Sequence, residues 1–329
     1  MLSEALSLLA CPRCRRPFAT AFQCCGTEYA TPGGIPDLRL DSDPRTEAVR
    51  AFYADAPFPG YPSRDSHAAL RARASRSELA RLLDGSIKGD ARIVELGCGT
   101  GQMSLFLATA DRVVVGADLS RPSLRLAEAA RLRFGIERAL FVETDLRAPG
   151  LREAAFDVVL ANGVLHHTPD PRASFAAMAR LARPGGTIVV GLYNAIARIP
   201  HRLRRGVARL SGFRLVPFDP VLRSRTGEPA RREAWLRDQY RHVEEHRHTV
   251  GEVRRWFRDN GVEWLRAVPG TLLGAEPPAD LFAPAGDDWI VEDALAQLSW
   301  ARTLAHEGGL FVAVGCRGPA RRVGDPAHD

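Results

Sequence analysis

Val94-Glu95-Leu96-Gly97-Cys98-Gly99-Thr100-Gly101 reads as a short apolar strand, an acid, then a glycine-rich turn that opens a helix. Glycine has no Cβ, so such a turn lets backbone N–H groups approach a ligand closely. The spacing is G-x-G-x-G. A dinucleotide fingerprint needs glycine at position 102, where this chain has Gln102, and that disfavours a dehydrogenase. A phosphate-binding P-loop needs Gly-Lys-Ser/Thr, which is absent. Glu95, Asp118 and Asp145 fall where three successive strands end. Acid after the second strand suits ribose hydroxyls. Nucleotide phosphates would be repelled by so many carboxylates, and no lysine is placed to offset them. The set suits a cationic, phosphate-free nucleoside. S-adenosylmethionine, with its sulfonium and amino groups, meets that description.

Placing these groups requires a sheet whose strands all end on one side. Strands read at Arg92–Leu96, Val113–Ala117, Leu140–Glu143, Phe156–Ala161 and Thr187–Leu192, with helical patterns between them. Apolar strands alternating with helices predict a parallel sheet covered on both faces. Asp170 caps one helix with Pro171 at N1, and Pro184-Gly185-Gly186 reads as the turn into the fifth strand. Thr249-Val250-Gly251-Glu252 is a capping box, and Asn260-Gly261 ends the helix it starts. Val262–Val268 and Gly309–Cys316 are the sixth and seventh strands. Before the sheet, Asp43-Pro44 starts a helical stretch, Phe58-Pro59-Gly60-Tyr61-Pro62 breaks it, and a second helix runs from about Ser66 to Leu83. The division is a cysteine-rich module at 1–40, a helical segment at 41–89, and an α/β domain at 90–318. The domain has insertions at about 195–247, irregular, and 269–306, irregular to about Asp288 and then helical, and residues 319–329 read as a disordered tail.

These residues resemble the class I S-adenosylmethionine-dependent methyltransferases, strongly over 90–194 and more weakly over 248–316. The resemblance implies a Rossmann-like seven-stranded sheet with helices on both faces. It implies that Glu95, Gly97, Gly99 and Gly101 contact the methionine part of the cofactor. Asp118 would hold the ribose hydroxyls, and Asp145 with Leu146 would bind adenine. Asn162 would flank the carboxylate and sulfonium. Ala161-Asn162-Gly163-Val164-Leu165-His166-His167-Thr168-Pro169-Asp170, Gly191-Leu192-Tyr193-Asn194, Asp238-Gln239-Tyr240 and His248-Thr249 look like one bacterial subgroup of these enzymes.

Methyl transfer is an in-line displacement at carbon, so the protein must chiefly align donor and acceptor and exclude water. A hydroxyl or protonated amine acceptor gains roughly 10²–10⁴-fold from a general base. His166 and His167 follow the fourth strand and are candidate bases; capping the next helix or packing under the cofactor is the alternative. Tyr193, ending strand five, is a candidate pocket residue. Asp238, Tyr240, Glu245 and His248 read as a lid or pocket wall, or as a solvated face. His242, Glu244, Glu245 and His246 imitate metal ligands without a regular H-E-x-x-H spacing.

Cys11-Pro12-Arg13-Cys14 places two thiolates on one tight turn, as zinc knuckles do. The second half is Cys24-Cys25-Gly26, and adjacent cysteines can both ligate only with local contortion. With Tyr29 and Gly34-Ile35-Pro36-Asp37, the module looks like the small zinc-ribbon proteins related to the activating partner of eukaryotic tRNA, rRNA and protein methyltransferases. A metal-free module with buried thiols is the alternative.

The 329 residues carry a net charge of +6, almost wholly from arginine, since Lys88 is the only lysine. A basic balance permits nucleic acid without implying it. No apolar run reaches the ~18–20 residues of a membrane helix. Leu8-Leu9-Ala10-Cys11 superficially resembles a lipoprotein cleavage site, but Glu4 precedes it and no Lys or Arg does; the chain reads as cytoplasmic. The expected acceptor is a small molecule. An RNA acceptor is the rival, supported by the ribbon and by Arg198, Arg202, Arg204, Arg205, Arg209 and Arg214. An Asn-Pro-Pro-Tyr-like motif for exocyclic amines is missing after strand four, as is a nucleophilic cysteine. A non-catalytic cofactor-binding scaffold is the third reading.

Overall fold

The computed structural model describes residues 2–19, 22–54, 61, 65–109, 111–224, 229–270, 278–285, 290–303 and 308–318. The tail at 319–329 and parts of the 269–306 insertion lie outside the described residues, as does most of the Phe58–Pro62 break. In chain order, α1 (Leu2–Leu6), β1 (Gln23–Cys24) and β2 (Thr27–Glu28) belong to the cysteine module. Three helices follow: α2 (Pro44–Ala54), α3 (His67–Ala74) and α4 (Glu78–Ser86). The alternating core runs β3 (Arg92–Leu96), α5 (Gln102–Leu107), β4 (Val113–Asp118), α6 (Arg121–Arg133), β5 (Ala139–Glu143), β6 (Phe156–Asn162), α7 (Pro171–Ala179) and β7 (Ala182–Tyr193). Then come α8 (Ile199–Leu210), α9 (Pro220–Ser224), α10 (Pro229–Tyr240), α11 (Val250–Asp259), β8 (Val262–Val268), α12 (Ile290–Thr303) and β9 (Leu310–Arg317).

The seven sheet strands lie in the order β5-β4-β3-β6-β7-β9-β8. β3 to β7 pair parallel, and β9 runs antiparallel between β7 and β8. Strand order therefore reverses between β3 and β6, and the carboxyl ends there form the crevice where open α/β sheets bind ligands. The strands are near-continuous apolar runs because both sheet faces are buried. Val94, Val115, Val159 and Val190 face one core; Ile93, Val114, Val158 and Val189 face the other.

Three expectations are corrected. Pro184-Gly185-Gly186 is no turn before a separate strand. It is a bulge inside β7, where pairing jumps from Phe156↔Ala182 to Val158↔Thr187 and Gly185 adopts φ +74°. The helix expected from Ser66 to Leu83 is two helices. Ser66 and Ser77 each cap one, accepting from Ala69 N at 3.2 Å and Ala80 N at 3.4 Å. The irregular stretch at 195–247 is largely helical, as α8, α9 and α10.

The cysteine module shares the sheet's core. Leu8, Leu9, Cys11, Tyr29 and Leu38 pack in one cluster with Val115, Val142 and Leu151. Leu38 N donates to Glu143 O at 2.8 Å, and Glu143 N to Pro36 O at 2.9 Å, so the end of the module extends the β5 edge. Among the described residues no helix is long and apolar enough to cross a membrane.

Candidate functional site

A cavity of about 390 Å³ opens at the carboxyl ends of β3, β4 and β6. Gly97, Gly99, Asp118, Asp145, Leu146 and Asn162 line it, together with His167 and Tyr193. Gly97 and Gly99 have φ of +71° and +53°, which favours glycine in this turn. Gly99 N donates to Asp118 Oδ2 and Ser120 N to Asp118 Oδ1, each at 2.7 Å. Burial nonetheless raises the Asp118 carboxyl above its ordinary range. Asp145 accepts from Arg147 Nη2 at 2.8 Å, and Arg147 reaches on to Asp43, which caps α2. Asn162 Oδ1 is buried with no partner among the described residues. It lies where a Cβ on Gly191 would come within 1.9 Å, so glycine there makes room for it.

Two of the eight expected cofactor residues do not line the cavity. Glu95 is buried beneath it and accepts from Ser104 Oγ of α5; burial pushes its carboxyl up to about 7. Gly101 caps α5 at φ +74°, and a Cβ there would meet Phe141 at 2.6 Å and Ala127 at 2.8 Å. Its glycine serves helix–sheet packing.

The two histidines separate. His166 is fully buried under the Tyr193 ring at 3.8 Å and is not on the cavity wall. Neither of its ring nitrogens has a partner among the described residues, and burial drives its pKa well below the ordinary range. His166 thus has no path to an acceptor in the cavity. His167 does line the cavity. Its Nδ1 donates to the carbonyl of Glu244 at 2.8 Å, which leaves Nε2 as the lone pair. Burial pushes its pKa down to about 3, so it is a neutral acceptor and a poor base near pH 7.

Composition and spacing gave no sign of α2 as a cavity wall, whereas Asp238 of α10, read as a lid or pocket wall, does line the cavity. Thr46, Val49 and Tyr53 come from α2, and Asp238 and Gln239 from α10. The Glu244 peptide fixes a directed chain here. Its N–H donates to His242 Nδ1 at 3.1 Å, so the neutral ring carries its proton on Nε2. That Nε2 lies 3.0 Å from Tyr53 Oη, whose own hydrogen points to Asp238 Oδ1 at 3.4 Å. Gln239 Nε2 donates to Asp238 Oδ2 at 2.7 Å and to Tyr193 Oη at 2.6 Å. Among the described residues the lining thus holds three carboxylates, Asp118, Asp145 and Asp238, and no arginine or lysine.

Glu245 and Tyr240 are no solvated face. Tyr240 is buried on Asp219 at 2.6 Å. Glu245 meets Arg198 at 3.0 Å and Arg205 at 2.9 Å. His248, buried against Trp256, contacts Glu252 at 2.9 Å. Arg198 and Arg205 are therefore committed internally. Of the six arginines in the basic stretch, Arg202, Arg209 and Arg214 stay exposed.

The sulfurs of Cys11, Cys14, Cys24 and Cys25 lie within 4.8 Å of one another. Cys14–Cys24, Cys24–Cys25 and Cys11–Cys25 are 3.5, 3.8 and 4.0 Å apart. Tetrahedral zinc with Zn–S of ~2.3 Å would set sulfurs about 3.8 Å apart, so the donor set fits zinc. The local contortion is a φ of +55° at Cys25, followed by +72° at Gly26. Protein expressed with ample metal should carry about one zinc per chain by elemental analysis. Because the module shares the main core, chelation should lower the melting temperature of the whole chain in one transition. Zinc-free protein, or an unchanged melt on chelation, would contradict this.

Residues 94–190 match the family model described as "Methyltransferase domain". An uncharacterized protein from a Synechococcus strain is 27% identical over 277 residues, which is 71% of this chain and 64% of that protein. A ubiquinone biosynthesis O-methyltransferase of Bordetella pertussis is 36% identical over 116 residues, 33% of this chain and 45% of that protein. The chain therefore spans less than two thirds of the length of these relatives. Magnesium protoporphyrin IX methyltransferase from Synechocystis superposes with a TM-score of 0.48 at 16% identity, covering 83% of this chain and 100% of that one. The strand order, the glycine turn with its acids and the matched segment agree: the chain contains a methyltransferase domain in the class I fold.

Proposed function

We propose that this protein transfers a methyl group from S-adenosylmethionine to an uncharged or cationic small-molecule acceptor, through a hydroxyl or amine. The cavity's polarity carries the reading: among the described residues it has three carboxylates, no lining cation and an Asn162 Oδ1 without a partner. A sulfonium is attracted to that surround, whereas a phosphate or carboxylate acceptor would be repelled. Gly97 and Gly99 bring backbone to the methionine part, Asp118 takes the ribose, and Asp145 with Leu146 takes adenine. Asp238 replaces the histidines as proton acceptor, and His167 Nε2 and Tyr193 orient the acceptor. The volume falls within the ~300–1,000 Å³ of small-molecule sites. The Bordetella relative is by name an O-methyltransferase, which agrees with a hydroxyl acceptor.

Calorimetry tests the cofactor assignment. Asp118→Ala should weaken S-adenosylmethionine binding by about 1.5–3 kcal/mol, the range for a lost charged hydrogen bond. Unchanged affinity would remove Asp118 from the site. Methyl-labelled cofactor offered with phenols, alcohols, amines, carboxylates and tRNA tests the acceptor. Label should enter only the first three classes, and only weakly in Asp238→Asn. Label on carboxylates or RNA would overturn the acceptor reading.

A further inference from the structure

The face of α8 that points away from the protein carries the wrong residues for water. Ile199, Leu203, Val207 and Leu210 are all exposed, Leu203 by 70% and Leu210 by 92%. At about 100° per residue they fall within about 80° of arc. His201 and Ala208, on the opposite side of the helix, are the buried pair. Arg202 and Arg209 flank the apolar stripe on one side and Arg204 on the other. The segment continues with Leu215 and Phe218, exposed by 64% and 73%, and with exposed Arg214 and Arg223. From 198 to 224 the one acidic residue is Asp219, which is buried and accepts from Leu222 N and Tyr240 Oη.

We infer that α8 and the segment through Phe218 form a docking surface for an anionic bilayer. Aliphatic side chains on one stripe with arginines at its edges are the arrangement of helices that lie in a membrane interface. The stripe enters the acyl boundary and the cations meet lipid phosphates. Charge complementarity selects an anionic surface, since no exposed acid interrupts the patch. RNA fits poorly, because aliphatic stripes cannot stack on bases and Phe218 is the one strongly exposed aromatic here. α8 begins directly after Arg198, whose guanidinium sits 3.6 Å over the Tyr193 ring on the cavity wall. The docking face and the cavity are thereby joined through a buried contact. This inference does not depend on the methyl-transfer reading.

Flotation of the full chain with vesicles tests it. The protein should co-float with vesicles of 70% phosphatidylcholine and 30% phosphatidylglycerol at least fivefold more than with phosphatidylcholine alone. The bound fraction should fall at least fivefold in Leu203→Asp/Leu210→Asp. These side chains are exposed, so circular dichroism and the melting temperature should stay as in the parent. A second variant, Arg202→Gln/Arg209→Gln, should abolish the preference for anionic vesicles while keeping the fold. Failure to float, or flotation untouched by both variants, would overturn the proposal. So would a dimer in sedimentation that Leu203→Asp/Leu210→Asp dissociates, or total RNA bound tightly through the same residues.

Discussion

Arg198→Met is expected to cost about 3–5 kcal/mol of folding stability, the range for breaking a buried ion pair from one side. Arg198 is fully buried. Its guanidinium donates to Gln239 Oε1 at 2.8 Å and to the carbonyl of Gly308, and pairs with Glu245 at 3.0 Å. Methionine fills similar volume but leaves Glu245 inside with Arg205 as its main partner, and leaves the Gly308 carbonyl unpaired. Denaturant titration reads the loss. Adding Glu245→Gln removes the stranded charge, so the double variant should recover 1–3 kcal/mol of what additivity would predict to be lost. A single variant within about 1 kcal/mol of the parent would mean that the pair is not buried in solution. Gln239 also holds Asp238 and Tyr193, so the same variant should loosen the acceptor end of the cavity.

The end of the cavity built from strand termini was legible in the sequence because it follows local rules. Strand periodicity placed β3, β4 and β6 and the acids at the strand ends, while Asn162 came from the resemblance to class I methyltransferases. Five parallel strands can end on one side in few ways, so Gly97, Gly99, Asp118, Asp145 and Asn162 had to converge. Glu95 departs from this pattern because strand alternation turns it away from the cavity. It sits second from the end of β3, on the side that faces α5 and Ser104. The acceptor end was opaque for a different reason. Tyr53 and Asp238 meet across 185 residues, and no local spacing encodes that contact. The histidine pair looked catalytic because both flank the same strand end, but adjacent residues need not face the same way. His166 turned under Tyr193 while His167 kept the cavity. In α8 the usual logic inverts. Its aliphatic stripe faces outward, while Arg205 and the preceding Arg198 reach inward to Glu245, so buried apolar periodicity does not mark the stretch as a helix.

Glu95→Gln should make the protein more stable at alkaline pH and leave it nearly unchanged in acid. Glu95 is buried, and its carboxyl is pushed up to about 7 from an ordinary value of 4.5. The folded chain therefore holds this proton more tightly than the unfolded chain. Stability from the group is fully present below about pH 4.5 and is lost as pH rises through 7. A shift of this size corresponds to about 3 kcal/mol at pH 8, from roughly 1.4 kcal/mol per unit. Glutamine keeps the shape and can still accept from Ser104 Oγ, but it never ionises. Denaturant midpoints at pH 8 should favour Glu95→Gln by about 2–3 kcal/mol, and the gap should shrink below about 1 kcal/mol at pH 5. Asp118 also titrates upward, so the comparison between variant and parent, not the parent's profile alone, isolates Glu95. An equal gap at both pH values would show that Glu95 carries no raised pKa in solution. If the gap appears, the chain keeps an acid where an amide folds better. In that case folding stability alone does not account for the acid at this position.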